Sequence, residues 1–233
     1  LAYHVSGRGY SEHAQYQAGI SRVVGAIATP TGGDEQRALA ERSGQEHHSG
    51  PQRVTIVHAR GGGYAHTLAL AERGCQVFAC GKGDCGQLGA GTREHQRTPA
   101  PVAGLEGLPD IVMVAAGYVH SAAITSAGRL LLWGRNHSGQ LGQGDREDRL
   151  VPVTLGPPQF GGAPVAMVAC GGFHTLVVTR SGLLFAFGHG ADGQLGLGDR
   201  NGRDVPVEVG PGRFGGAIIA YAAAGDAHSG VVT

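Results

Sequence analysis

The sequence predicts an all-β fold: a β-propeller of four-stranded blades at a repeat of about 54 residues. Three observations carry this. His66, His120, His174 and His228 stand 54 residues apart, with glycine three residues before each (Gly63, Gly117, Gly171, Gly225) and threonine or serine after (Thr67, Ser121, Thr175, Ser229). A glycine-rich block recurs as Gly81–Gly91, Gly134–Gly144 and Gly188–Gly198, each copy containing Gly-Gln-Leu-Gly. Between these marks lie short apolar runs that end at glycine, the pattern of brief strands joined by tight turns.

The repeats define units over residues 57–110, 111–164 and 165–218, with a fourth beginning at 219 and covering 219–233. In the second unit, Ile111–Ala115 reads as the first strand, Ser121–Thr125 as the second and Arg129–Trp133 as the third. Val151–Leu155 is a weaker fourth, because Pro152 cannot donate to a ladder and so belongs on an edge. The third unit repeats the order with Val165–Ala169, Thr175–Thr179, Leu183–Phe187 and Val205–Val209. Residues 1–56 precede the clear pattern and read as a degenerate blade with a polar insert over 31–50. Helical spacing shows only weakly, around Glu35–Arg42.

Composition narrows the function classes. Glycine supplies 43 of 233 residues, more than twice its usual share, as a turn-rich fold requires. Eighteen basic residues balance 18 acidic ones, and hydrophobic residues reach 41%, which together exclude a disordered chain. A neutral, evenly mixed charge argues against direct contact with nucleic acid. No apolar run approaches the roughly 18 residues of a membrane span, so no membrane partner is expected. Four cysteines are too few for a disulfide framework, which favours a reducing, intracellular compartment, cytoplasmic or nuclear.

The repeated polar residues read as framework. Gln87, Gln140 and Gln194 carry both donor and acceptor and can satisfy loop backbone groups. Leu88, Leu141 and Leu195 would plug the space between blades. His66, His120, His174 and His228 are expected to hydrogen-bond within their own blades, since each unit solves the same packing problem. The alternative, convergence of the four on a metal, is disfavoured for the same reason. Cys75, Cys80 and Cys85 lack a Cys-x-x-Cys pair, so zinc is not expected either. The glycine block has no Lys-Ser/Thr and no following helix, so it is not a phosphate loop. A catalytic set would interrupt the repeat, and the polar residues here are the repeat itself; no catalytic residue, metal or cofactor is expected.

The paired patterns Gly-x-x-His-Ser/Thr and Trp-Gly-x-Asn-x-x-Gly-Gln-Leu-Gly-x-Gly-Asp resemble the repeats of the regulator of chromosome condensation family, most closely over Trp133–Asp145 and Asp192–Asp199. The resemblance covers about 57–233. It implies a propeller, usually of seven blades. Seven such units need more than 233 residues, so a partial ring is expected. The family's founder exchanges guanine nucleotide on a small nuclear GTPase and docks on chromatin. One branch senses ultraviolet light through clustered tryptophans, whereas Trp133 is the single tryptophan here.

Residues that vary between units are the informative ones. Arg93, Glu94 and Arg97, then Asp145, Arg146, Glu147, Asp148 and Arg149, then Asp199, Arg200, Arg203 and Asp204 follow the glycine block in successive units. They are expected to stack along one rim as alternating charge and to bind a protein partner. Reversing Arg146, Arg149, Arg200 and Arg203 should then leave stability nearly unchanged. The expected function is a non-enzymatic interaction or scaffold module of a larger protein or assembly. The alternative is nucleotide exchange on a small Ran-like GTPase with chromatin association.

Overall fold

A computed structural model describes Val54–Thr55 (backbone only), residues 65–71 and residues 76–233. Residues 1–53, which hold almost all of the expected degenerate blade and its polar insert, lie outside the described residues, as do Gly63, Gly74 and Cys75. The chain divides into Leu1–Val54 and Thr55–Thr233; the second unit is described below.

Three four-stranded antiparallel sheets follow one another in chain order. The first is β1 (Val54–Thr55), β2 (His66–Ala71), β3 (Val77–Gly81) and β4 (Gln96–Pro101). The second is β5 (Ile111–Ala116), β6 (His120–Thr125), β7 (Leu130–Gly134) and β8 (Arg149–Leu155). The third is β9 (Val165–Cys170), β10 (His174–Thr179), β11 (Leu184–Gly188) and β12 (Arg203–Glu208). A two-stranded sheet of β13 (Tyr221–Ala224) and β14 (Ser229–Val232) comes last. Each sheet is a meander with neighbours in sequence paired, which makes each a propeller blade. The four sheets do not close on one another, so the described residues form part of a ring.

The middle strands explain the packing. Every residue of β6, β7, β10 and β11 is buried. A strand apolar on both faces needs a neighbour on each side, and the period of two divides those faces. In β7, Leu131 and Trp133 face the first blade, packing with Leu68, Leu70, Val77 and Leu88. Leu130 and Leu132 face the third blade, packing with Val168, Val177, Phe185 and Phe187. Leu88, Leu141 and Leu195 are buried in the three successive seams. The outer strands β8 and β12 are half exposed, with Val151 and Val205 open to solvent and Pro152 and Pro206 on the edge.

The glycine block links β7 to β8 within a blade and leans over the next. It begins at Gly134, opposite His120 in the ladder, with φ +104°. A Cβ there would lie 2.6 Å from the Val119 carbonyl oxygen, so only glycine fits. Two short 3-10 turns, Pro157–Phe160 and Pro211–Phe214, join blades and stand 54 residues apart, each followed by a pair of glycines, while the first unit has no counterpart. Phe160 is fully buried and meets Phe185 of the next blade edge-on at 5.4 Å between ring centres.

Candidate functional site

The histidine column builds the polar part of each seam, and here the sequence expectation is corrected. The imidazoles bond to the following blade, not to their own. His66 Nε2 lies 2.8 Å from Ser121 Oγ, His120 Nε2 3.0 Å from Thr175 Oγ1, and His174 Nε2 2.9 Å from Ser229 Oγ. Each hydroxyl in turn donates back to the carbonyl of a glutamine in the preceding blade: Ser121 to Gln87, Thr175 to Gln140 and Ser229 to Gln194, at 2.7–2.8 Å. A hydroxyl has one proton, and the carbonyl takes it. The imidazole must therefore donate from Nε2–H, which fixes the tautomer. Oriented this way, the histidine cannot serve as base to the serine beside it. The intra-blade expectation failed because a repeat of 54 residues cannot distinguish a bond within a unit from the same bond made one unit onward.

Burial holds these rings neutral. It pushes His66 down to about 4. His120 falls to about 3, through burial first and then its neighbours His174 and His66. His174 falls to about 4 through burial, then His228 and His189, against the opposing pull of Asp226. His228 is exposed. The glycine three residues upstream makes room for the ring: a Cβ on Gly171 would lie 2.2 Å from His174 Cε1.

The glutamines satisfy their loops as their chemistry allows. The Oε1 atoms of Gln87, Gln140 and Gln194 accept the backbone N–H of Cys85, Ser138 and Asp192 at 2.9–3.1 Å. Trp133 is fully buried, and its Nε1–H donates to the Gln87 carbonyl at 2.9 Å. Among the described residues no group of three or more His, Cys, Asp or Glu is placed to hold a metal. Cys80 and Cys85 are free thiols, and burial pushes the Cys170 thiol up.

The charged residues occupy the connections β3–β4, β7–β8 and β11–β12 and the strand starts beside them. In a meander these connections share one end of every blade. Two ion pairs cross seams there. Arg93 reaches Asp148 at 3.0 Å, and Arg146 reaches Asp204 at 3.2 Å. Two more fold their own loops, Arg149 with Asp145 at 2.5 Å and Arg203 with Asp199 at 2.7 Å. The Asp145 carboxyl is held below the usual range by the Glu147 backbone N–H and then by Arg149. Asp199 is lowered in the same way by the Asn201 N–H and Arg203. Glu94, Arg97, Glu147 and Arg200 are exposed and enter none of these ion pairs.

Two features of this end went unread in the sequence. Asp148 and Asp204 occupy different columns of the repeat, so their shared role is invisible to alignment of the units. Buried Asn136 donates to the Asp145 carbonyl at 2.9 Å and accepts the Leu141 N–H, bracing its loop where the other units have Gly83 and Gly190. Nearer the first strands, Tyr118 and Phe173 of adjacent blades meet at 5.6 Å.

Comparison with known proteins agrees with this architecture. The profile described as "Regulator of chromosome condensation (RCC1) repeat" matches residues 76–124, 127–178 and 181–232. The ultraviolet-B receptor UVR8 of Arabidopsis thaliana is 42% identical over 167 residues, covering 72% of this chain and 37% of that protein. The probable E3 ubiquitin-protein ligase HERC6 of Homo sapiens is 34% identical over 214 residues, covering 86% of this chain and 20% of that protein. Prp20p from Saccharomyces cerevisiae, described with its binding to Gsp1p and histones, superposes with a TM-score of 0.64 at 23% identity, covering 72% of this chain and 42% of that one. This chain thus spans well under half the length of each.

Proposed function

From the premise that the chain belongs to the regulator of chromosome condensation repeat family, as its three matched repeats show, we propose that it is a non-enzymatic protein-interaction module. Its docking surface is the charged end of the blades. The observation that carries this is the pair of seam-crossing ion pairs, Arg93–Asp148 and Arg146–Asp204. They tie three loops of different sequence into one continuous surface on a rigid scaffold, which is where propellers place recognition. Around those pairs, Glu94, Arg97, Glu147 and Arg200 remain for a partner. The compartment that suits such a module is intracellular, cytoplasmic or nuclear.

The test is capture of binding proteins by the chain and by an Arg97→Glu/Arg200→Glu variant. The expected result is slower, less salt-sensitive association of a bound protein with the variant. A partner that binds both equally would remove this surface from consideration. Likeness to Prp20p supports a second reading, guanine-nucleotide exchange on a small Ran-like GTPase. Accelerated nucleotide release from such a GTPase on adding the chain would favour it, and no acceleration across a panel would discard it.

A further inference from the structure

Each seam joins two apolar sheet faces, and in each of them one imidazole carries a side-chain hydrogen bond from one blade to the next. In His66, His120 and His174 the Nδ1 atom is buried and has no hydrogen-bond partner in the protein. In the third link that edge lies against the Cα of Gly171, where a Cβ would sit 2.5 Å from Nδ1. A proton on Nδ1 would put a charged N–H against a glycine Cα, with no acceptor there to take it, and such groups are costly to bury.

We propose that the His66, His120 and His174 links are acid-released latches: proton uptake parts a blade from the next while the strands inside each blade stay paired. His174 carries the link from the third blade to the sheet of β13 and β14. That sheet's share of the seam is Ile219 and Ala222 as buried apolar residues, against Trp133 or Phe187 in the other two seams. Parting it uncovers the flank of Ala169, Leu176, Val178 and Leu195.

Few titratable groups face these rings. Burial alone acts on His66. His120 has His66 and His174 as neighbours. His174 has His228, His189 and Asp226, of which only Asp226 favours its charged form. With the closed-state value below the ordinary 6.5, the closed seam binds fewer protons than the open one. The latch is therefore at full strength above about pH 6.5. It weakens steadily as pH falls from there toward about 4.

Backbone hydrogen exchange at the Gly172 and Ile219 amides, which donate across this seam to the Gly225 and Gly182 carbonyls, tests this at pH 7.5 and 5.0 after correction for intrinsic exchange. One histidine closed at about 4 and open at 6.5 raises the opening constant roughly 30-fold across that interval. His174→Gln keeps an N–H donor that cannot be charged, and should flatten the change to under about threefold. Peptides of β10 and β11 should stay protected in both proteins. No change in the native chain, or the same change in His174→Gln, would overturn the proposal. Should that variant not fold, the imidazole carbon resonance of His174 in the native chain decides: it should report a neutral ring down to pH 5, and a midpoint near 6.5 would sink the latch.

Discussion

Gly171→Ala and Gly225→Ala make the same change in the same motif, and the structure predicts opposite outcomes. On Gly171 the new Cβ would lie 2.2 Å from His174 Cε1, 2.5 Å from its Nδ1 and 2.7 Å from the Gly225 carbonyl oxygen. None of these can yield cheaply. The His174 ring is fully buried and tied through Nε2 to Ser229, while the carbonyl accepts the Gly172 N–H. Overpacking costs about 1–3 kcal/mol. A displaced ring also loses a hydrogen bond and strands a buried donor, for about another 1–3 kcal/mol. The expected destabilisation is about 3 kcal/mol. On Gly225 the nominal clash is as severe, 2.1 Å from His228 Cε1, but His228 is exposed and its ring can swing into solvent. The expected change there is within about 0.5 kcal/mol. Urea unfolding followed by far-ultraviolet circular dichroism and by Trp133 fluorescence measures both. Removing the ring should restore room, so Gly171→Ala/His174→Ala should cost clearly less than the sum of its parts. Equal costs at the two glycines, or additivity in the double variant, would show that ring clearance is not why this motif carries glycine.

Other outcomes are expected along the same lines. Swapping the exposed seam pair, Arg146→Asp with Asp204→Arg, should give a coupling energy below about 1 kcal/mol in a double-mutant cycle. Arg149→Glu and Arg203→Glu should each cost more, about 1–2 kcal/mol by urea midpoint, because these arginines are three-quarters buried against the carboxylates that shape their own loops. Leu141→Ala, fully buried in the second seam, should cost about 2–5 kcal/mol, while Val151→Ala on the outer strand should stay within about 0.5. Trp133→Phe should keep the packing but forfeit the bond to the Gln87 carbonyl, for about 1 kcal/mol in thermal unfolding.

The blades were legible because their cause is periodic. Each seam poses one packing problem, so Leu88, Leu141 and Leu195 or the histidine column recur wherever it is solved. Direction was not legible. His120 bonded to Thr175 and His120 bonded to its own blade leave the same marks at the same interval, and only the fold chooses between them. The 3-10 turn holding Phe160 was less legible: it recurs 54 residues on at Pro211–Phe214, but the first unit has no counterpart, and two copies of a proline and a phenylalanine in a connection do not specify a structured turn. The expectation that reversing Arg146, Arg149, Arg200 and Arg203 leaves stability nearly unchanged also needs division. Arg146 is largely exposed and its pair crosses a seam, and Arg200 is exposed outside the ion pairs, while Arg149 and Arg203 belong to the structure of their loops.

That division bears on where recognition resides. A residue already committed to holding a seam or a loop cannot be given to a partner without cost to the fold. The histidines, the hydroxyls, the glutamine carbonyls and the glycines that clear the rings are committed in this sense, and they are what every unit shares. Asp145 and Asp199 are committed as well, each to an arginine and to a backbone N–H in its own loop. What stays uncommitted at the charged end is Glu94, Arg97, Glu147 and Arg200. Variation between units does not set them apart: Arg200 shares its column with Arg93 and Arg146, and Glu94 with Glu147, so what differs is whether the fold uses the side chain. Loops pinned from below by constant residues, and to one another by Arg93–Asp148 and Arg146–Asp204, can change those side chains with little loss of stability. Specificity in this chain is therefore sought among side chains that the fold leaves unused, at positions that the repeat holds still.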